Sequence, residues 1–327
     1  MSTREFTGHY YSSVGSLLER FIQEKKACGY RYDEAARVLL RFDRFLCDEA
    51  LENCELPRSV SRKWLAKQPH ESVSTHRNRI GAVRQFAIYL CRSGYPAYVP
   101  ERSFGARRAN SFSPRILTHD EIRRLFEAVD EIAPTAKAPL RHIIMPEVFR
   151  LLYGCGMRVG EVLRLRVIDV DLDRGILTVR DAKFGKDRLV PPALTLVQRL
   201  RTYAAFMGNR PSDGYFFPSP SGGPWSPEAV YEMYRELLMR CEITHAGRGK
   251  GPRVHDLRHA FATHTLLRWC RQGADLDAKL PVLATYMGHR SLAGTQRYLH
   301  LIAELLPEIA MRTNAAFGNV IPRGSAS

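Results

Sequence analysis

His255 and Arg258 stand three residues apart in VHDLRHAFATH, at the start of a stretch with helical periodicity, so both side chains leave one face of a helix. Further on, Gly288-His289 closes another helical run, and Tyr298 follows in TQRYLH at the end of a short polar turn. Arginine recognises a phosphate through two parallel hydrogen bonds, and a tyrosine hydroxyl can serve as a covalent nucleophile. That combination suits a phosphodiester. Arg158 follows the glycine-rich break GCGMR and opens the next helix, where rigid elements can aim it into a cleft; a plain surface arginine at a helix start is the commoner occurrence. Lys183 and Lys186 in AKFGKDRLVP fall on the exposed tip of an expected hairpin. Residues 244–253, THAGRGKGPR, can bring backbone N–H groups and cations to phosphates or simply connect two helices.

The composition supplies a partner for such chemistry. Lys and Arg number 49 against 34 Asp and Glu, a formal charge of +15, and the isoelectric point is about 9.7. A balance this basic points to a polyanion, with nucleic acid first. Seven cysteines, odd in number, scattered and without a C-x-x-C pair, argue for a reducing compartment and against a structural metal. No stretch reads as a signal peptide or a membrane span, which leads to the expectation of a cytosolic protein. With 327 residues, 45% of them hydrophobic and 25% charged, the chain can build two domains, each with its own core.

The elements that must position these residues follow from apolar spacing. Helices are expected over 14–28, from Asp33 onward, over 59–67 and over 72–92. The last has Ile80, Val83, Phe86, Ala87 and Leu90 inward, with His76, Arg77, Arg79 and Arg84 outward as a solvated or DNA-facing row. Residues 95–113 lose periodicity, carry Pro96, Pro100, Gly105 and Arg107-Arg108, and read as a basic interdomain linker. Thr118 and Glu121 form a capping-box signature that restarts order. Helices follow at about 146–153 and 159–166, then two or three short strands over 168–191, then helices at 194–206, at 227–241 and from His255. Beyond Tyr298 a stripe of Ile302, Leu305, Leu306 and Ile309 marks a terminal helix, and 321–327 lack any such pattern.

GCGMRVGEVLRLRVIDVD, a lysine-tipped hairpin ending in RLVP, HDLRHAFATH, MGH and TQRYLHL occur in this order, and together they resemble the tyrosine recombinase (phage integrase) family. The resemblance spans the chain, although 267–281 are longer and more polar than in compact members. It implies a mainly α protein of two domains: an N-terminal helical, SAM-like core DNA-binding domain over 1–102, and a mostly helical catalytic domain with a small antiparallel sheet over 118–317. A basic linker over 103–117 and a tail over 318–327 complete the expectation. Arg158 corresponds to the first catalytic arginine, Lys183 to the hairpin lysine with Lys186 as second choice, His255 and Arg258 to the HxxR pair, His289 to the His/Trp position and Tyr298 to the nucleophile.

The implied activity is site-specific recombination of double-stranded DNA through a 3′-phosphotyrosine and a Holliday junction, in integration, excision or transposition. Two arginines would neutralise the phosphate and the charge growing in the transition state, where losing one preorganised donor costs about 3–4 kcal/mol. His289 would add a hydrogen bond, and the resemblance makes Lys183 the acid for the 5′ oxygen and His255 the acceptor of the tyrosine proton. It further implies no cofactor and no metal, a homotetramer on two synapsed sites with a dimer on each, contacts through the C-terminal helix, and a cytoplasmic, nucleoid-associated life. The rival expectations are a type IB topoisomerase, with the same catalytic residue types, and a non-catalytic DNA-binding protein on this scaffold.

Overall fold

The computed structural model describes residues 9–30, 32–101, 104, 114–180, 187–245, 247, 251–289, 291–296 and 298–299. Backbone packing divides the chain into two compact units, Ser2–Phe112 and Ser113–Ser327.

The first unit is helical: α1 Gly15–Ala27, α2 Asp33–Asp48, α3 Arg58–Leu65 and α4 Val73–Arg92. The periodic residues meet in one core, with Leu18 and Phe21 of α1, Leu39 and Phe42 of α2, Leu65 of α3 and Phe86 and Leu90 of α4 all buried. Each such side chain contributes about 1.5–3 kcal/mol by leaving water. Asp43 is fully buried in this core and accepts hydrogen bonds from Tyr11 N at 2.7 Å, Ser12 N at 3.1 Å and Ser12 Oγ at 2.5 Å, tying the entering chain to α2.

The outward row expected on α4 needs correction. His76 and Arg79 are buried, at 4% and 5% exposure. The His76 Nε2 lies 2.7 Å from the Leu65 carbonyl. Arg79 donates to both Glu71 carboxylate oxygens at 2.9 and 2.7 Å, to the Ala66 carbonyl at 2.9 Å and to the Trp64 carbonyl. The cause is the end of α3, whose last carbonyls have no partner within their own helix; α4 packs beside them and supplies donors. Arg77 is exposed, and half-buried Arg84 caps the Pro100 carbonyl.

The second unit begins earlier than the expected linker allows. Leu117 is buried in its core and Arg115 pairs with Glu121 at 2.5 Å. α5 (His119–Asp130) carries the capping box of Thr118 and Glu121 that the sequence announces. α6 runs Arg141–Gly154, five residues longer at its start than the apolar run suggests, with Pro146 inside it. The helix expected over 159–166 is a single turn, α7 (Val159–Val162), followed by a 3-10 turn at Val167–Asp169. There the chain is drawn out by pairing with another segment: the Leu165 carbonyl accepts from Phe216 N at 2.7 Å, and Val167 N donates to the Gly214 carbonyl at 2.9 Å.

Strands β1 (Val170–Asp171), β2 (Ile176–Val179) and β3 (Arg188–Val190) form an antiparallel sheet in that order, with Val170 opposite Leu177 and Thr178 opposite Leu189. Leu177, Val179 and Val190 turn to the core, the period-2 pattern of a strand with one buried face. The tip between β2 and β3, with Lys183 and Lys186, lies outside the described residues. Next come α8 (Leu194–Met207), α9 (Pro227–Arg240), α10 (Val254–Arg271), α11 (Leu276–Met287) and the one-turn α12 (Ala293–Gln296). The polar stretch between α10 and α11 is a cap: Asp275 accepts from Asp277 N and Ala278 N and starts α11. Ile302, Leu305, Leu306, Ile309 and the tail lie outside the described residues. Among those described, no helix is long and apolar enough to cross a membrane.

Two of the arginines of α4, Arg77 and Arg79, separate structure from surface. Arg79→Ala leaves the buried Glu71 carboxylate unpaired and is expected to destabilise the chain by about 3–5 kcal/mol, whereas exposed Arg77→Ala should stay within about 0.5 kcal/mol. Urea unfolding of both variants checks this; equal losses would contradict the assignment.

Candidate active site

The site is built on the C-terminal end of α11. A helix leaves its last carbonyls without intrahelical partners and carries the negative end of its dipole there. Three arginines from three elements occupy three consecutive carbonyls. Arg188 of β3 donates its Nε to Tyr286 O at 3.0 Å, Arg258 of α10 donates Nη2 to Met287 O at 2.6 Å, and Arg158 at the start of α7 donates Nη2 to Gly288 O at 3.0 Å. Gly288 ends α11 in the left-handed conformation at φ +66°, and a Cβ there would come within 2.9 Å of the Arg188 guanidinium. Glycine alone fits both demands.

Arg258 is almost wholly buried, at 1% exposure, and its Nη1 donates to the Gly156 carbonyl at 2.5 Å. Gly156 sits in the break after α6 at φ +57°, with the Phe261 ring where a Cβ would be. Burial, followed by the neighbouring Arg158 charge, lowers Arg258 to about 10, so it stays cationic at neutral pH.

Glu161 of α7 offsets part of this charge. It receives Arg188 on both oxygens at 3.1 and 2.7 Å, the Arg158 guanidinium at 2.6 Å and the Arg158 backbone N–H at 2.9 Å. Burial alone would raise its carboxyl; the Arg188 hydrogen bonds and the Arg158 N–H overcome that and hold it at about 2. Three guanidiniums face one carboxylate here, and the surplus is positive.

The remaining groups stand beside this cluster. His255 meets His259 edge-on, ring centroids 4.7 Å apart. Burial, then Arg258, Arg253 and Arg158, depress His255 to about 4. His289, immediately after α11, is lowered to about 4 by burial and then by Arg258 and Arg158, and its Nδ1 lies 2.7 Å from the buried Thr295 hydroxyl. With that hydroxyl donating to Nδ1, the ring proton resides on Nε2, ready to donate to an anion. Tyr298 is 4% exposed, stacks on His289 with centroids 5.9 Å apart, and its hydroxyl is 3.0 Å from His259 Nδ1.

Of the six residues expected from the sequence, Arg158, His255, Arg258, His289 and Tyr298 thus gather around the end of α11, and Lys183 lies outside the described residues. The sequence reading missed Glu161, Arg188, His259 and Thr295. Signals existed for three of them. Glu161 is at capping-box spacing from Arg158, Arg188 opens the RLVP segment, and His259 lies one helical turn beyond His255. Among the described residues no group of three or more His, Cys, Asp or Glu is placed to hold a metal ion.

Comparison with known proteins gives the family. A sequence model of the phage integrase family matches residues 115–304. A putative integrase/recombinase of Sinorhizobium fredii is 32% identical, covering 92% of this chain and 96% of its own length. Tyrosine recombinase XerC of Xanthomonas axonopodis pv. citri is 28% identical, covering 91% of this chain and 95% of its own. Among solved structures, the XerH site-specific recombinase bound to palindromic difH substrate, a post-cleavage complex, shares the fold with a TM-score of 0.63 at 20% identity, over 90% of this chain and 83% of that one.

Glu161 generates a prediction about acid stability. Its folded pKa of about 2 lies below its ordinary 4.5, so its contribution is complete above pH 4.5 and is lost as pH falls through about 2. Glu161→Gln should cost about 3–5 kcal/mol at neutral pH by stranding the arginines, and should flatten the acid limb of stability between pH 4.5 and 2. Denaturant unfolding across that range checks it; an unchanged limb would contradict the role.

Proposed function

The chain belongs to the phage integrase family, the tyrosine recombinases, and on that premise we propose that it is a site-specific recombinase that cuts and rejoins double-stranded DNA through a phosphotyrosine at Tyr298. The observation that carries the reading is the convergence of Arg158 and Arg258 on adjacent carbonyls of α11, with His289 and Tyr298 following within one short segment. The cationic surplus of this cluster suits a phosphodiester, and the post-cleavage DNA complex of XerH supports DNA as the partner.

In this reading Arg158 and Arg258 hold the non-bridging oxygens of the scissile phosphate, fixed in place by carbonyls that need no reorganisation during the reaction. His289 adds a neutral N–H donor. Tyr298 attacks phosphorus and the 5′ oxygen leaves with a proton from Lys183. The phosphotyrosine conserves the energy of the broken bond, so rejoining needs no nucleotide. The first unit serves as core DNA-binding domain, with exposed arginines such as Arg77 available to phosphates. Exchange proceeds through a Holliday junction in a tetramer on two sites, and the stripe of Ile302, Leu305, Leu306 and Ile309 docks on a neighbouring protomer. As an enzyme that acts on DNA it works in the cytoplasm, at the nucleoid.

Two variants test the chemistry on a nicked duplex carrying a site selected by binding from a randomised pool. Tyr298→Phe should bind it with unchanged affinity and give no SDS-resistant adduct; an adduct would refute the nucleophile. Lys183→Ala should slow cleavage by about 10²–10⁴-fold and be rescued by sulfur at the 5′ leaving position, which departs without a proton. Rescue with Lys186→Ala instead would move the acid there.

A further inference from the structure

We propose that His259, and not His255, takes the proton of Tyr298 during cleavage and returns it during rejoining. This rests on the strand-transfer reading above. The phenol oxygen lies 3.0 Å from His259 Nδ1, within reach of a general base before any substrate is bound. For Nδ1 to accept, the ring hydrogen must sit on Nε2, and that side of the ring faces a carboxylate: Nε2 is 3.9 Å from Asp256 Oδ1. Asp256 is fully buried and fixed at the start of α10, where its Oδ2 accepts the Arg253 backbone N–H at 2.9 Å. The carboxylate favours the tautomer that accepts from the phenol, and it stabilises the imidazolium once the proton arrives. The His259 side chain is 17% exposed, between the buried carboxylate and the nucleophile.

His255 is poorly suited to the same task. Burial first, and then Arg258, Arg253 and Arg158, depress its affinity for a proton before substrate binds, to a pKa of about 4. It meets His259 edge-on, ring centroids 4.7 Å apart. The step then balances. The phenol O–H breaks and its proton passes to His259 Nδ1 while the phenol oxygen bonds to phosphorus; the bond from phosphorus to the 5′ oxygen breaks, and that oxygen takes the proton of the acid assigned above to Lys183. Rejoining runs in reverse, with the His259 imidazolium protonating the departing tyrosine oxygen.

The test uses the full chain on the same nicked duplex, comparing the parent with His259→Asn, His255→Asn and Tyr298→Phe. Asparagine puts an amide oxygen where Nδ1 stood, so it keeps an acceptor for the phenol and cannot hold its proton. His259→Asn should bind DNA as the parent does and form adduct about 10²-fold or more slowly. A fluorinated, more acidic tyrosine at position 298 should restore much of that rate, and should change the parent little. Parental cleavage by His259→Asn, a loss confined to His255→Asn, or no recovery with the acidic phenol would each overturn the proposal. A parent that itself forms no Tyr298-dependent adduct instead refutes the strand-transfer reading. If His259→Asn fails to bind DNA, nitrogen NMR of histidine-labelled protein decides: Tyr298→Phe should shift the Nδ1 resonance of His259, and an unmoved resonance overturns the contact.

Discussion

The end of α11 has to hold three like charges together. Arg188, Arg258 and Arg158 arrive from a strand, a helix and a helix start, and each satisfies one of three successive carbonyls. Free guanidiniums this close would repel, and the unpaired carbonyls of a buried helix end would be costly. Each defect answers the other. Glu161 removes part of the remaining repulsion by accepting from two of the arginines. What is left among the described residues is three guanidiniums around one carboxylate, a positive excess held rigidly, which is what an incoming phosphate requires.

Several other features follow from that cluster. Glycine stands at 156 and 288 because the arginines bind carbonyls at tight backbone corners and Phe261 and Arg188 fill the space of a side chain. His255 and His289 are neutral because burial and the same arginines disfavour another positive charge. An anionic phosphate would reverse the second cause and make both rings more basic, so substrate binding itself tunes the site. Arg188 also ties β3 to α11 and to Glu161, which links the sheet to the arginine cluster.

Much of this was legible in the sequence, for identifiable reasons. Arg158, His255, Arg258, His289 and Tyr298 lie within short motifs whose order and spacing carried the family resemblance, and the helices of the first unit announced themselves by apolar periodicity. The failures were of another kind. His76 and Arg79 read as a solvated row because helical periodicity shows which face is apolar and does not show that the carbonyls at the end of α3 lie against the polar face. The helix over 159–166 was overestimated because pairing of Leu165 and Val167 with 214–216 is non-local. Glu161 and Arg188 were passed over because their importance lies in meeting each other across 27 residues. His259 was hidden beside a better-known histidine in one motif.

The account turns on a phosphate occupying the positive excess beside α11. The most direct measurement is a crystal structure of the chain on its DNA site with vanadate bridging Tyr298 and the cleaved ends, which mimics the five-coordinate transition state. The account predicts equatorial oxygens hydrogen-bonded to Arg158, Arg258 and His289, with both arginines still on the Gly288 and Met287 carbonyls. Vanadate bound elsewhere, or arginines that leave those carbonyls to reach it, would contradict a preorganised site.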